Sequence, residues 1–249
     1  MAKAISEFTS VTMLTSYEQY QNCRAHLPEN IKVIEMSSND AWCRDVGPTF
    51  LVNDQGEKRA CDWKFNAWGG LVDGLYFPWD ADDQIAGKIC ELEGIDLEET
   101  NGHIDDVACF VRPGEVACIY TEDTEHPFYE QAQAAYKFLS EATDARGRKL
   151  KVHKVCLTKK PVLLDGAETI DRVQGTIPRK NGELCIASYL NFLITNGGII
   201  APQYEDEHDA LALSQLQEIF PGHKVVGVKT REIVYGGGNI HCITQQQPR

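Results

Sequence analysis

Hydrophobic and polar positions along the chain switch repeatedly between a period of two and a period near 3.6, which predicts short strands alternating with amphipathic helices. Val11 to Thr15 is a β-prone run. Ser16 then opens a helix with Gln19 three places on, a capping-box pattern, and Tyr20, Cys23 and Leu27 fall on one face. Ile31 to Met36 reads as the next strand. Further helices are predicted from about Asp82 to Glu93 (Ile85, Ile89 and Leu92 at helical spacing), from Pro127 (Phe128, Ala132, Ala135 and Leu139 inward), and from Asp206 to Phe220, where Pro221-Gly222 stops the run.

Between the helices lie strand pairs joined by turn residues. Phe50-Leu51-Val52 precedes a turn ending in Gly56-Glu57, and Phe110-Val111 precedes one ending in Gly114-Glu115. Ser188 to Leu193 leads through Asn196-Gly197-Gly198 into Ile199-Ile200-Ala201. A unit of strand, helix, strand and hairpin thus recurs, which suggests a radial or stacked α/β architecture rather than one open sheet. One place breaks the rhythm: only about nine residues separate Glu93 from Gly102-His103, too few for a strand of normal length.

Composition narrows the partners. The chain has 249 residues, enough for one sizeable core, and a net charge of −13. Such an acidic chain suits a small cation and is a poor candidate for nucleic acid or an anionic membrane. No apolar run reaches the roughly 18 residues of a membrane span, and no secretory signal is read in the first 30 residues, so a cytoplasmic location is expected. The nine cysteines include no C-x-x-C pair, so they are expected as reduced thiols without a structural metal. Neither G-x-G-x-x-G nor a P-loop occurs, and no cofactor is expected.

Three loop clusters hold the candidate chemistry. The first is residues 39–48, with Asp40, Trp42, Arg44 and Asp45. The second is residues 101–106, where His103 and Asp105 would face the same way on a strand. The third is residues 236–244, where Gly236, Gly237 and Gly238 let backbone approach a ligand and Cys242 follows. Each alone has a plain structural explanation in a salt bridge, a cap or a turn. Together they supply a thiol, an imidazole and two carboxylates, the inventory for sulfur attack on a cationic carbon. A thiol with an ordinary pKa of about 8.5 needs a nearby positive charge to ionise, and a cationic substrate would bring one.

Six runs carry a resemblance: residues 37–54, the stretch 62–80 with FNAWGG at Phe65 to Gly70, NGHIDD at 101–106, SYLNF at 188–192, NGGIIAPQ at 196–203, and GGGNIHCITQQQP at 236–248. The chain resembles the agmatine deiminase family over about Ala4 to Pro248, with microbial peptidyl-arginine deiminases more distant. The resemblance implies a pseudo-fivefold α/β propeller and hydrolysis of agmatine to N-carbamoylputrescine and ammonia, a step toward putrescine. It implies Cys242 as nucleophile, His103 as acid/base, and Asp45 and Asp105 as the carboxylates that grip the guanidinium. It places Trp42, Trp68, Gly237 and Asn239 against the substrate. A homo-oligomer is compatible with it.

The resemblance is incomplete. Family members carry more chain ahead of Ala4, and a segment before NGHID holding a LEGGSIH-type motif whose glutamate partners the histidine. Here Glu93-Gly94 runs almost directly into residues 98–101, where the rhythm breaks. The expectation is a single domain, 1–249, with an internal deletion near 94–100, about one blade missing, and activity impaired or lost. A relative that only binds substrate or intact subunits is the competing reading. A Cys-His-Asp thiol protease is disfavoured, since paired carboxylates and an indole suit a guanidinium better than an amide.

Overall fold

The computed structural model describes residues 1–53, 55–63, 65–95, 97–100, 106–169 and 179–247. Among them, eleven strands form four small sheets. The first pairs β1 (Val11–Thr15) with β2 (Ile31–Glu35) in parallel. The second holds β3 (Thr49–Val52), β4 (Lys58–Trp63) and β5 (Leu97–Thr100); the third β6 (Ala108–Arg112), β7 (Glu115–Tyr120) and β8 (Lys151–Cys156); the fourth β9 (Leu193–Ile194), β10 (Gly198–Gln203) and β11 (Lys224–Lys229).

The three larger sheets share one topology. A hairpin comes first, and its second strand then pairs in parallel with a strand that returns after a helix. Three helices make these returns, α2 (Ile85–Glu93), α3 (Tyr129–Glu141) and α4 (Asp209–Ile219), and α1 (Tyr17–His26) makes the parallel return of the two-stranded sheet. Parallel neighbours require such a crossover. The recurring strand–helix–strand unit read from the hydrophobic pattern is therefore real, and the fold is mixed α/β. No closed barrel is seen among the described residues.

Burial follows the pattern. The middle strands β7 and β10 are buried along almost their whole length, as their apolar runs Val116-Ala117-Cys118-Ile119 and Ile199-Ile200-Ala201 require. The largest core joins these strands to α3 through Ala132 and to α4 through Ala212, Leu216 and Ile219. A second core, Met36, Val46, Phe65, Ala67 and Ile85, lies beneath the first candidate loop. A third, Ile5, Leu193, Ile200 and Ile240, lies beneath the third.

Three expectations need correction. The Ser16 hydroxyl makes no cap bond, and the Gln19 carboxamide oxygen accepts from Asn22 Nδ2 rather than closing a capping box. The end of α1 is tied down by Arg24, which donates to the carbonyls of Leu27, Pro28 and Ile31 at 2.6–2.8 Å. Leu92 is not a core residue: it is 57% exposed in the last turn of α2. And a strand does fit after Glu93, since β5 pairs with β4 over four residues, Ala60 opposite Leu97 to Trp63 opposite Thr100. All nine cysteines are free thiols, four of them buried.

Replacing the fully buried Leu216 with alanine should destabilise the chain by about 2–5 kcal/mol, because α4 cannot collapse into the gap between β8 and β11. Urea denaturation measures this; a loss below about 1 kcal/mol would show that the helix is not packed as described.

Candidate active site

The third cluster opens with a strip of main chain free of side chains, Gly236 to Gly238. A β-carbon added at Gly238 would sit 2.8 Å from the Cys242 sulfur and 2.9 Å from both the Cys242 Cβ and the Trp42 ring. One added at Gly236 would sit 2.8 Å from the same indole. Gly237 has φ +108°, a conformation only glycine adopts without strain. The glycines therefore let Trp42 and Cys242 close on one strip of main chain. Trp42 is 7% exposed, and its Nε1 donates to Asp40 Oδ2 at 2.9 Å.

The first cluster docks on the third. Residues Cys43–Val46 form a single helical turn. Arg44 N–H donates to the Cys242 carbonyl at 2.9 Å, and Arg44 Nε donates to the His241 carbonyl at 3.3 Å. Gln245 Nε2 donates to the Pro48 carbonyl from the other side. Asp45, buried in this turn, accepts from Trp68 Nε1 at 3.2 Å. Trp68 is the more open indole, 39% exposed, and its ring meets Phe65 edge-on at 5.0 Å.

The ground beneath the first cluster is acidic. Asp82, fully buried, accepts from Asn39 N–H at 2.6 Å and Asp40 N–H at 3.1 Å, and also from the Tyr76 hydroxyl. Asn39 Oδ1 returns the contact by accepting from Ala81 and Asp82 N–H. Burial, with the charges of Asp82 and Asp45 adding, raises the Asp40 carboxyl above its ordinary value against the opposing bonds from Ala41 N–H and the Trp42 indole. Burial also pushes the neighbouring Cys43 thiol up to about 11 and the Cys156 thiol to about 12, which makes both poor nucleophiles.

His103 and Asp105 lie outside the described residues. The residue that follows them, Asp106, is placed, and it reaches the third cluster. Asn191 Nδ2 donates to Asp106 Oδ1 at 2.8 Å and to the Cys242 sulfur at 3.1 Å. Behind this contact runs a buried chain. Ser188 Oγ donates to the Asp106 carbonyl, the Tyr204 hydroxyl donates to the Ser188 carbonyl, and Asn239 Nδ2 donates to the Tyr204 hydroxyl at 3.2 Å. Asn239 is fully buried, and its Oδ1 has no hydrogen-bond partner among the described residues. Asp82 and Asn191 were not singled out from sequence. Glu93 ends α2 and accepts from Gln247 Nε2 at 2.7 Å.

The profile of the Porphyromonas-type peptidyl-arginine deiminase family matches residues 1–97 and 88–248. The chain belongs to this family. A solved family member titled as agmatine deiminase of Enterococcus faecalis superposes with a TM-score of 0.96 at 51% identity, covering 100% of this chain and 86% of that one. A relative from Streptococcus mutans, provisionally named an agmatine deiminase, is 54% identical over 316 aligned positions, again with 100% and 86% covered. The agmatine deiminase of Pseudomonas aeruginosa is 42% identical, with 100% and 85% covered. A Porphyromonas gingivalis structure at 23% identity shares the fold, with a TM-score of 0.81 and 100% and 87% covered.

Tyr204→Phe should cost about 1–3 kcal/mol, since it strips a buried acceptor from Asn239 and a buried donor from Ser188 at once. Denaturant titration of the two proteins checks it, and equal midpoints would show the chain of hydrogen bonds to be dispensable.

Proposed function

We propose that this chain is an agmatine deiminase that hydrolyses agmatine to N-carbamoylputrescine and ammonia through a covalent cysteine adduct. The observation that carries the reading is the docking of the Cys242 loop on the Trp42–Asp45 turn, which joins a thiol to a buried carboxylate and a half-open indole. Identity of 51–54% over the whole of this chain to proteins named agmatine deiminase supports the substrate.

In this reading Asp45, with Asp105, grips the guanidinium nitrogens through charge-assisted bonds and fixes the plane. The sulfur of Cys242 then approaches the carbon from its face. Trp42 and Trp68 flank the cation, and each cation–π contact contributes about 0.5–2 kcal/mol. Attack forms the S–C bond, and C–N cleavage releases ammonia as His103 supplies the proton. Water activated by His103 cleaves the S–C bond, returns the thiol and leaves the ureido product. The acidic groups at residues 40, 45 and 82 favour a cationic substrate. Gly237 and Asn239 shape the loop that bears the thiol.

A second reading is carried by length. The Streptococcus mutans relative aligns over 316 positions while this chain has 249 residues, so about 67 positions have no counterpart here. The two profile matches meet at residues 88–97, beside the end of α2. We read this as an internal deletion of one unit, leaving four blades of a five-bladed α/β propeller, with the partner glutamate of the histidine lost. Loss of one such group typically lowers rate by about 10²–10⁴. An opened ring also exposes strand edges and apolar side chains such as Leu92, and so favours association. A chain that binds agmatine without turning it over is the limit of this effect, and calorimetry beside an ammonia assay separates the two.

Cys242→Ala should lower ammonia release from agmatine at least about a thousandfold. Near wild-type turnover would remove Cys242 from the mechanism. Gly238→Ala, which forces the sulfur and the Trp42 ring apart, should lower kcat by about a hundredfold. Unchanged kcat would show that the loop tolerates a methyl group there.

A further inference from the structure

We propose that Asn191 is a positioning residue for the reaction, holding the Cys242 sulfur in its ionised form and fixing where it points. The proposal rests on the reading of Cys242 as nucleophile. Asn191 is completely buried, in the irregular segment just before β9. Its carboxamide is used at both ends. Oδ1 accepts from His241 N–H at 2.8 Å and from Cys242 N–H at 3.4 Å. Nδ2 gives one proton to Asp106 Oδ1 at 2.8 Å and the other to the Cys242 sulfur at 3.1 Å. Two donors on one side and two acceptors on the other allow a single orientation of the amide. The backbone repeats the tie, because His241 N–H also donates to the Asn191 carbonyl at 3.2 Å.

This arrangement does two things that a packing residue would not. An N–H aimed at sulfur stabilises the anion more than the thiol, and so favours the nucleophilic form. The carboxylate of Asp106 orients and polarises the same amide from its far side, strengthening the donor. Through that bond the thiol loop is also coupled to the residue directly after His103 and Asp105. Among the described residues, the titratable and charged groups facing this region are Asp106 behind the amide, Tyr204 below it, His241 beside it, and Cys43, Arg44 and Asp45 on the docked turn; His103 and Asp105 of the proposed mechanism lie outside the described residues. All of them survive substitution of Asn191, so in the uncharged Asn191→Leu variant a change in thiol ionisation reports on the amide.

The test is the pH dependence of Cys242 alkylation by iodoacetamide in the full chain without substrate, read on the Cys242 peptide by mass spectrometry. Asn191→Leu and Asn191→Asp are compared with wild type. Asn191→Asp keeps an oxygen for the two backbone N–H groups, loses the donors to sulfur and to Asp106 and adds a carboxyl group beside both, whereas Asn191→Leu removes the amide without adding charge. The expected result is a fall of about ten- to a hundredfold in alkylation rate at neutral pH in both variants, recovered at alkaline pH, with kcat falling more than KM changes. An alkylation profile that superposes on wild type in a folded variant would overturn the proposal. In the wild-type chain itself, the ¹⁵N side-chain amide resonance of Asn191 should titrate together with Cys242; a resonance that does not move overturns it too, whether or not the variants fold. If Cys242→Ala retains turnover while the Asn191 resonance still titrates, the nucleophile assignment has failed and the amide–thiol coupling has not.

Discussion

At Gly238 there is space between the Cys242 sulfur and the Trp42 ring for a hydrogen atom and nothing larger. Everything proposed for the site depends on that close approach. Two loops almost 200 residues apart in sequence become one surface because the strip between them carries no side chains, and because Arg44 and Gln245 stitch the two backbones together. A thiol delivered this way arrives beside Trp42, on a loop docked against the turn that carries Asp45.

The fold supplies the rigidity behind those loops. Three sheets repeat a hairpin followed by a helical return, and the candidate residues lie in the connections between such units rather than inside them. Met36, Val46 and Phe65 anchor one side of the site, Leu193, Ile200 and Ile240 the other. Buried polar bonds fill the space between: Asn239 to Tyr204, Tyr204 to Ser188, Ser188 to Asp106, Asp106 to Asn191, and Asn191 to Cys242. Each link satisfies a group that would otherwise be orphaned out of water, so the network specifies one loop geometry.

The hairpins at 53–57 and 112–115 were legible in the sequence because turn chemistry is local: Gly56 and Gly114 hold positive φ where the chain reverses. The α3 and α4 helices were legible from spacing. β5 was not, since Leu97-Glu98-Glu99-Thr100 has no apolar run and becomes a strand only by pairing with β4. Leu92 misled for a related reason: helical spacing places it on a face, but among the described residues that face stays largely uncovered at the end of α2. At the site, Cys242, Asp45 and Trp42 stood out by residue type, and Trp68 only through the family resemblance of the run that holds it. Asn191 and Asp82 did not, because an amide or a carboxylate acquires its role from partners about fifty residues away, which no local pattern encodes.

The central claim is that sulfur, and not water, first meets the guanidinium carbon. Rapid acid quench of the enzyme with isotopically labelled agmatine, followed by mass spectrometry of the peptides, tests it most directly. The account predicts label held on Cys242 as the amidino adduct during turnover and lost as product forms. Ammonia released in steady turnover with no label on Cys242 at any time, or with label on another thiol, would contradict it.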